Sequence, residues 1–133
     1  MAFLLPNIKK LEANLKIFCE TINADEVVLF ERSTFLVISH FELKKHEDQH
    51  RFEKISNIIK QFKLSCIKTN YKFESMVVKN QKFSAYVEGF TSSTYIMIVV
   101  SDKSVEQEAI SMNIKASRHH FESLVKSSYS QGN

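Results

Sequence analysis

Apolar residues recur at every third or fourth position through Ile8, Leu11, Leu15, Phe18 and Ile22, with Lys9, Lys10, Glu12, Asn14 and Lys16 between them. That spacing predicts an amphipathic helix of about four turns, entered after Pro6 with Asn7 as its cap. The period then shortens. Val27, Val28, Leu29 and Phe30, and after them Phe35, Leu36, Val37 and Ile38, are β-branched and aromatic runs joined by the polar stretch Glu31, Arg32, Ser33, Thr34. They predict an antiparallel hairpin. Helical spacing returns from about His46 through Phe52, Ile55, Ile58, Ile59 and Phe62, with Phe52, Ile55, Ile59 and Phe62 forming the stripe expected to face a sheet. Three further runs, residues 73–78, 83–90 and 95–100, are separated by polar tetrads and predict a three-stranded meander. Capping residues at 101–104 open a last helix that carries Val105, Ala109, Ile110, Ile114, Phe121 and Leu124. From Lys126 the chain is Ser-rich and is expected to fray.

The order α-β-β-α-β-β-β-α predicts an α+β fold, an α/β sandwich in which a five-stranded antiparallel sheet is flanked by helices. With 133 residues and 44% hydrophobic content there is room for one domain, expected over residues 1–125 with a flexible tail at 126–133. A chain of this size buries roughly two-thirds of its unfolded surface, so its core needs no metal or disulfide. Eleven Phe and no Trp fill it. Two Gly, Gly89 and Gly132, are too few for a Walker loop, which requires two before its Lys. Cys19 and Cys66 read as reduced thiols, since no disulfide framework and no Asn-x-Ser/Thr acceptor points to secretion. The longest apolar run, residues 95–100, is far below the roughly 20 needed to span a bilayer. The first six residues lack both the basic start and the long apolar centre of a signal peptide.

The sharpest chemical motif is His46-Glu47-Asp48-Gln49-His50, which satisfies H-E-x-x-H, two imidazoles one helical turn apart with a Glu between. Its neighbours Lys44, Lys45 and Arg51 make a solvated helix start, not the apolar setting of a catalytic zinc helix. No third ligand is indicated, so no metal and no cofactor is expected. His119 and His120 project about 100° apart on one helix and do not share an ion easily. Cys66 lies near Lys63 and Lys68 but has no acid or His placed to complete a nucleophile, and reads as a packed thiol. Residues 44–82 hold nine Lys and one Arg against four acids, a local net of +6 within a chain of +3. This basic stretch admits an alternative function, a surface binding nucleic acid or anionic lipid. Its aromatics, Phe52, Phe62, Tyr71 and Phe73, follow core spacing and carry no stacking signature, so nucleic acid is not the expected partner.

A partner surface is expected at the first strand of the meander, which has a hairpin neighbour on one side and none on the other. Phe73, Met76, Val77 and Val78 place apolar side chains on that edge, and Lys72 and Lys79 guard only its ends. The preceding helix offers Arg51, Lys54, Ile58 and Gln61 as a second face, with Ile58 its apolar member. Helix and edge together predict pairing strand to strand and helix to helix across a twofold axis.

Over residues 50–66 the sequence, from His50-Arg51-Phe52-Glu53-Lys54 to Leu64-Ser65-Cys66, resembles the C-terminal domain of a Rag-type small GTPase of the A/B branch. The likeness extends through residues 24–32, 34–40 and 90–95, takes in Leu5-Pro6-Asn7, and departs at residues 68–72, 105–112 and the tail. It implies a roadblock, longin-like fold, with the guanine-nucleotide domain absent from this chain. It further implies a non-catalytic domain that pairs with the C-terminal domain of a C/D-branch Rag GTPase and docks on a roadblock scaffold of the Ragulator or EGO kind. The implied setting is amino-acid signalling to the target-of-rapamycin complex, in the cytoplasm and peripherally at the lysosomal or vacuolar membrane, without direct insertion. Whether the isolated domain forms a homodimer is left open. With no Gly-rich loop to hold phosphate, calorimetric titration of GTP into these 133 residues should give no binding heat; micromolar binding would reveal a site that the sequence conceals.

Overall fold

In the computed structural model, residues 8–43, 51–70 and 74–130 are described, without side chains at 51, 52 and 127–130. The first periodic run forms α1 (Ile8–Thr21), which buries Leu11, Leu15, Phe18 and Cys19. It stops at Asn23, whose left-handed φ of 56° lets the Ala24 N–H donate back to the Cys19 carbonyl at 3.0 Å. Asn tolerates that conformation, which is why it ends helices. The second helix, α2 (Arg51–Lys68), ends the same way at Asn70, φ 57°. Before α3 (Gln107–Ser130), Asp102 Oδ1 accepts from the Ser104 N–H at 2.9 Å and its hydroxyl at 2.6 Å. One expectation changes here: α3 continues to Ser130, so residues 126–130 are helical.

The strands are β1 (Glu26–Glu31), β2 (Val37–Glu42), β3 (Ser75–Lys79), β4 (Ser84–Gly89) and β5 (Thr94–Val100). They form one antiparallel five-stranded sheet in the order β2-β1-β5-β4-β3. The β3–β4 turn closes on Asn80, whose Oδ1 accepts from the N–H groups of Lys82 and Phe83, both at 2.8 Å. Such local acceptors are the reason Asn favours turns.

Alternation along β5 sorts the core into two layers. Ile96, Ile98 and Val100 face one side with Val27 and Leu29, against α1 and α3. Tyr95, Met97 and Val99 face the other with Val28 and Phe30, against Ile55, Ile58, Ile59, Phe62 and Cys66 of α2. The sandwich is therefore α1 and α3, then the sheet, then α2.

The first hairpin departs from the expected register. The second strand begins at Val37 instead of Phe35, because Phe35 adopts a φ of 62° and turns its ring into the α2-side core. A bulky residue in the left-handed region costs about 1–2 kcal/mol. Rings of Tyr95, Phe30 and Phe62 at 5.7, 6.0 and 6.3 Å from Phe35 offset that strain. A bulge follows: Leu29 lies opposite Ser39 but Phe30 lies opposite Val37, so Ile38 is the extra residue. One inserted residue reverses which way the following side chains point. Val37 is thereby carried to the α2 side of the sheet, where it is 50% exposed.

Phe62 is fully buried, 4.7 Å ring to ring from Tyr95 and 6.2 Å from Phe30. Phe62→Ala should lower folding stability by about 3–5 kcal/mol in urea unfolding; a loss below about half a kcal/mol would place α2 on the wrong face.

Candidate pairing surface

The third strand, β3, ends the sheet, so its outer N–H and C=O groups have no strand partner among the described residues. Its apolar side chains do not stand out into solvent. Met76 lies opposite Val87 and Val78 opposite Ala85, and both half-buried residues pack against the cluster beneath α2. The edge is thus continuous with the α2 layer.

Of the residues expected on this surface, Met76 and Val78 lie on the edge strand, Lys54 is half-buried and Gln61 exposed on α2. Phe73 and the Arg51 side chain fall outside the described residues. Ile58 requires correction: it is 5% exposed and belongs to the core beneath α2. It sits three residues after Ile55 and one before Ile59, within the stripe of 100° or more that a core-facing helix buries.

Among the described residues the exposed apolar positions of α2 are instead Leu64, at 66%, and Ile67. Neither was singled out from the sequence. Leu64 follows Phe62 by two residues, about 200° round the helix, and an apolar residue that far from the buried stripe is the signal that marks it.

A polar assembly sits at the Thr94 end of β5. Arg32 lies over the Tyr95 ring at 4.6 Å, and its Nε donates to the carbonyls of Thr91 and Thr94 at 3.0 and 3.1 Å. Arg118 of α3 donates from Nε to the Phe90 carbonyl at 2.7 Å and from its guanidinium to the Gly89 carbonyl at 2.9 Å. Glu122 accepts from the N–H of Ser92 at 2.7 Å and from its hydroxyl, which holds the Glu122 carboxyl below the usual range. Charged side chains from two elements thus tie down the β4–β5 turn. A Cβ at Gly89 would come within 2.6 Å of the ends of the Arg32 and Glu74 side chains, which are flexible and can move aside.

Neither thiol is poised for chemistry. Burial, followed by the charge of Asp25, pushes Cys19 up to about 11, and its Sγ donates to the Ala24 carbonyl at 3.2 Å. Burial also raises Cys66, whose Sγ lies 3.8 Å from the Tyr95 hydroxyl. The H-E-x-x-H motif lies outside the described residues. Among those described, no three His, Cys, Asp or Glu converge on a metal-sized site. His120 bonds instead to Asn14 Oδ1 at 2.8 Å, linking α3 to α1. No helix among the described residues is long and apolar enough to cross a membrane.

Fold comparison defines the class first. The chain superposes on the gliding protein MglB of Thermus thermophilus with a TM-score of 0.72, covering 95% of this chain and 96% of that one at 12% identity. A Roadblock/LC7 domain of Streptomyces avermitilis gives 0.55, with 83% and 96% covered at 16% identity. The fold is that of the roadblock domains.

Sequence comparison then supplies the relatives. The Gtr1/RagA G protein conserved region matches residues 1–59. Ras-related GTP-binding protein B of Rattus norvegicus is 58% identical over 121 residues, 91% of this chain and 32% of that protein. Ras-related GTP-binding protein A of Dictyostelium discoideum is 54% identical over 124 residues, 93% of this chain and 41% of that protein. The chain has the roadblock fold and is similar over nine-tenths of its length to Ras-related GTP-binding proteins A and B, and it spans about a third to two-fifths of the length of these relatives.

The buried acids set a pH limit. Burial, then the hydrogen bond with Cys66, pushes Tyr95 up to about 12 from 10.0, and Cys19 rises to about 11 from 9.0. In the unfolded chain both groups ionise first, so the folded state holds more protons and stability falls as pH rises. Urea midpoints should be flat to about pH 9 and decline between about pH 9 and 12. A midpoint that holds through that window would contradict the burial of both groups.

Proposed function

We propose that this chain is a non-catalytic pairing and docking domain, the C-terminal domain of a Rag-type GTPase of the A/B branch. Its partner is the C-terminal domain of a C/D-branch Rag GTPase, and the pair docks on a Ragulator or EGO-like roadblock scaffold. The setting is amino-acid signalling to the target-of-rapamycin complex, peripheral to the lysosomal or vacuolar membrane. Homology at 58% to a Ras-related GTP-binding protein B supports this reading. The observation that carries the pairing role is the open β3 edge, continuous with a helix that leaves Leu64 exposed. An unpaired strand edge beside an exposed apolar helix face is a combination that proteins cover or use.

Two copies of this layer, or this layer and a related one, join by extending the sheet through β3 and by laying α2 on α2. Leu64 then takes the apolar place first expected of Ile58. Substituting Ile58 by Glu would bury a carboxylate and unfold the domain, so it does not test the interface. Met76→Lys with Leu64→Glu should preserve the circular dichroism spectrum and weaken association with a C/D-branch partner domain by about a hundredfold or more, measured by sedimentation or calorimetry. An unchanged dissociation constant in the folded double variant would move the interface to another face.

A further inference from the structure

The other end of the sheet carries a different surface. Strand β2 is the terminal strand opposite β3, so among the described residues a second open edge remains when β3 is paired. Between the start of β2 and α2 runs a groove of about 300 Å³, with Phe35, Leu36 and Val37 on its strand side and Ile59, Lys60 and Lys63 on its helix side. The groove occupies the flank of α2 that faces away from β3. By helical geometry Lys54, Ile58 and Gln61 share the opposite flank.

Three features set this groove apart from ordinary surface. Leu36 and Val37 are 57% and 50% exposed on adjacent residues. Val37 reaches the groove only because of the bulge at Ile38, and the chain reaches β2 only through the left-handed Phe35. Bulges that re-aim side chains and strained backbone positions gather at functional surfaces. Lys60 and Lys63 are in no ion pair among the described residues, and no carboxylate lines the groove. The Lys63 ammonium stands 5.9 Å from the Phe35 ring centre, at the wall of the groove.

We propose that this groove receives an extended, acidic segment of another protein, with an apolar side chain on Leu36 and Val37 and carboxylates on Lys60 and Lys63. Charge complementarity selects the occupant: two unpaired cations beside an apolar ledge attract carboxylates flanked by apolar residues. Spacing selects its conformation. Side chains three apart on a helix stand about 5–6 Å from each other, close to the roughly 6.6 Å between alternate residues of an extended chain. A segment of the pattern acidic-x-acidic-x-apolar, laid along β2, turns both carboxylates and the apolar side chain to one face, so that it reaches both lysines and Val37 while its backbone meets the strand edge. This surface is separate from the β3 face and stands whether or not the pairing assignment holds.

The test uses the whole chain and a fluorescein-labelled synthetic peptide with Glu, Glu and Val at successive alternate positions and Thr between them, with a Lys-for-Glu peptide as control, read by anisotropy at low and physiological salt. Saturable binding of the acidic peptide alone is expected. It should weaken at least about tenfold in Lys60→Glu with Lys63→Glu, and similarly in Val37→Asp, while Met76→Lys, on the far edge strand, leaves it unchanged. Circular dichroism checks that each variant is folded. Absence of saturable binding at millimolar peptide would overturn the proposal, as would equal affinity in the lysine double variant. Loss of binding only in the Met76→Lys variant would place the peptide on the pairing face and overturn the proposal. Binding of phosphatidylserine vesicles that depends on Lys60 and Lys63, with no binding of peptide, would reassign the groove to a membrane surface and likewise overturn the proposal.

Discussion

Strand β5 must be dry on both faces, and the architecture follows from that demand. All seven of its residues are buried, and its neighbours β1 and β4 satisfy its backbone on either side. Burying both faces of one strand needs helices above and below the sheet. The faces are filled differently: aliphatic residues with a Phe18, Phe90 and Phe121 trio toward α1 and α3, and a ring cluster of Phe30, Phe35, Phe62 and Tyr95 toward α2. With two helices on one side and one on the other, the single helix cannot cover the full width of five strands.

That unequal covering accounts for the character of the two sheet edges. At β3 the apolar residues Met76 and Val78 tuck against the α2-side core, leaving mostly backbone to be satisfied. At β2 the bulge turns Val37 to the same side but beyond the reach of α2. One edge therefore continues a core and the other borders a groove with free lysines. The turn between β4 and β5 is immobilised in a third way, by Arg32, Arg118 and Glu122.

Periodic sequence was readable wherever one face of an element met the core. The order of eight elements, the stripe of Ile55, Ile59 and Phe62 and the terminal position of β3 all follow from local spacing. Asn23 and Asn70 carried helix ends in their side-chain chemistry alone. The start of β2 was not readable, because the left-handed Phe35 is stabilised by rings contributed from α2 and β5. Ile58 was misplaced because a buried stripe is wider than one row of residues. The grip of Arg118 and Glu122 on the β4–β5 turn spans 28 to 30 residues and has no local signature. On the candidate surface Met76 and Val78 were legible, whereas Leu64 required knowing where the stripe ended.

Pairing of β1 with β5 also has a consequence in time. The β1–β2 hairpin is local, and so is the run from β3 through β5, but partners as distant as Glu26 and Val99 join them. Such long-range closure is slow compared with hairpin formation. During synthesis α1, β1 and β2 emerge first, with Leu11, Leu15, Val27 and Leu29 still lacking the strand and the helix that will cover them. The middle of the sheet is completed last, by the strand that fills it from the far end of the chain, so the newborn amino-terminal half depends on protection until β5 arrives.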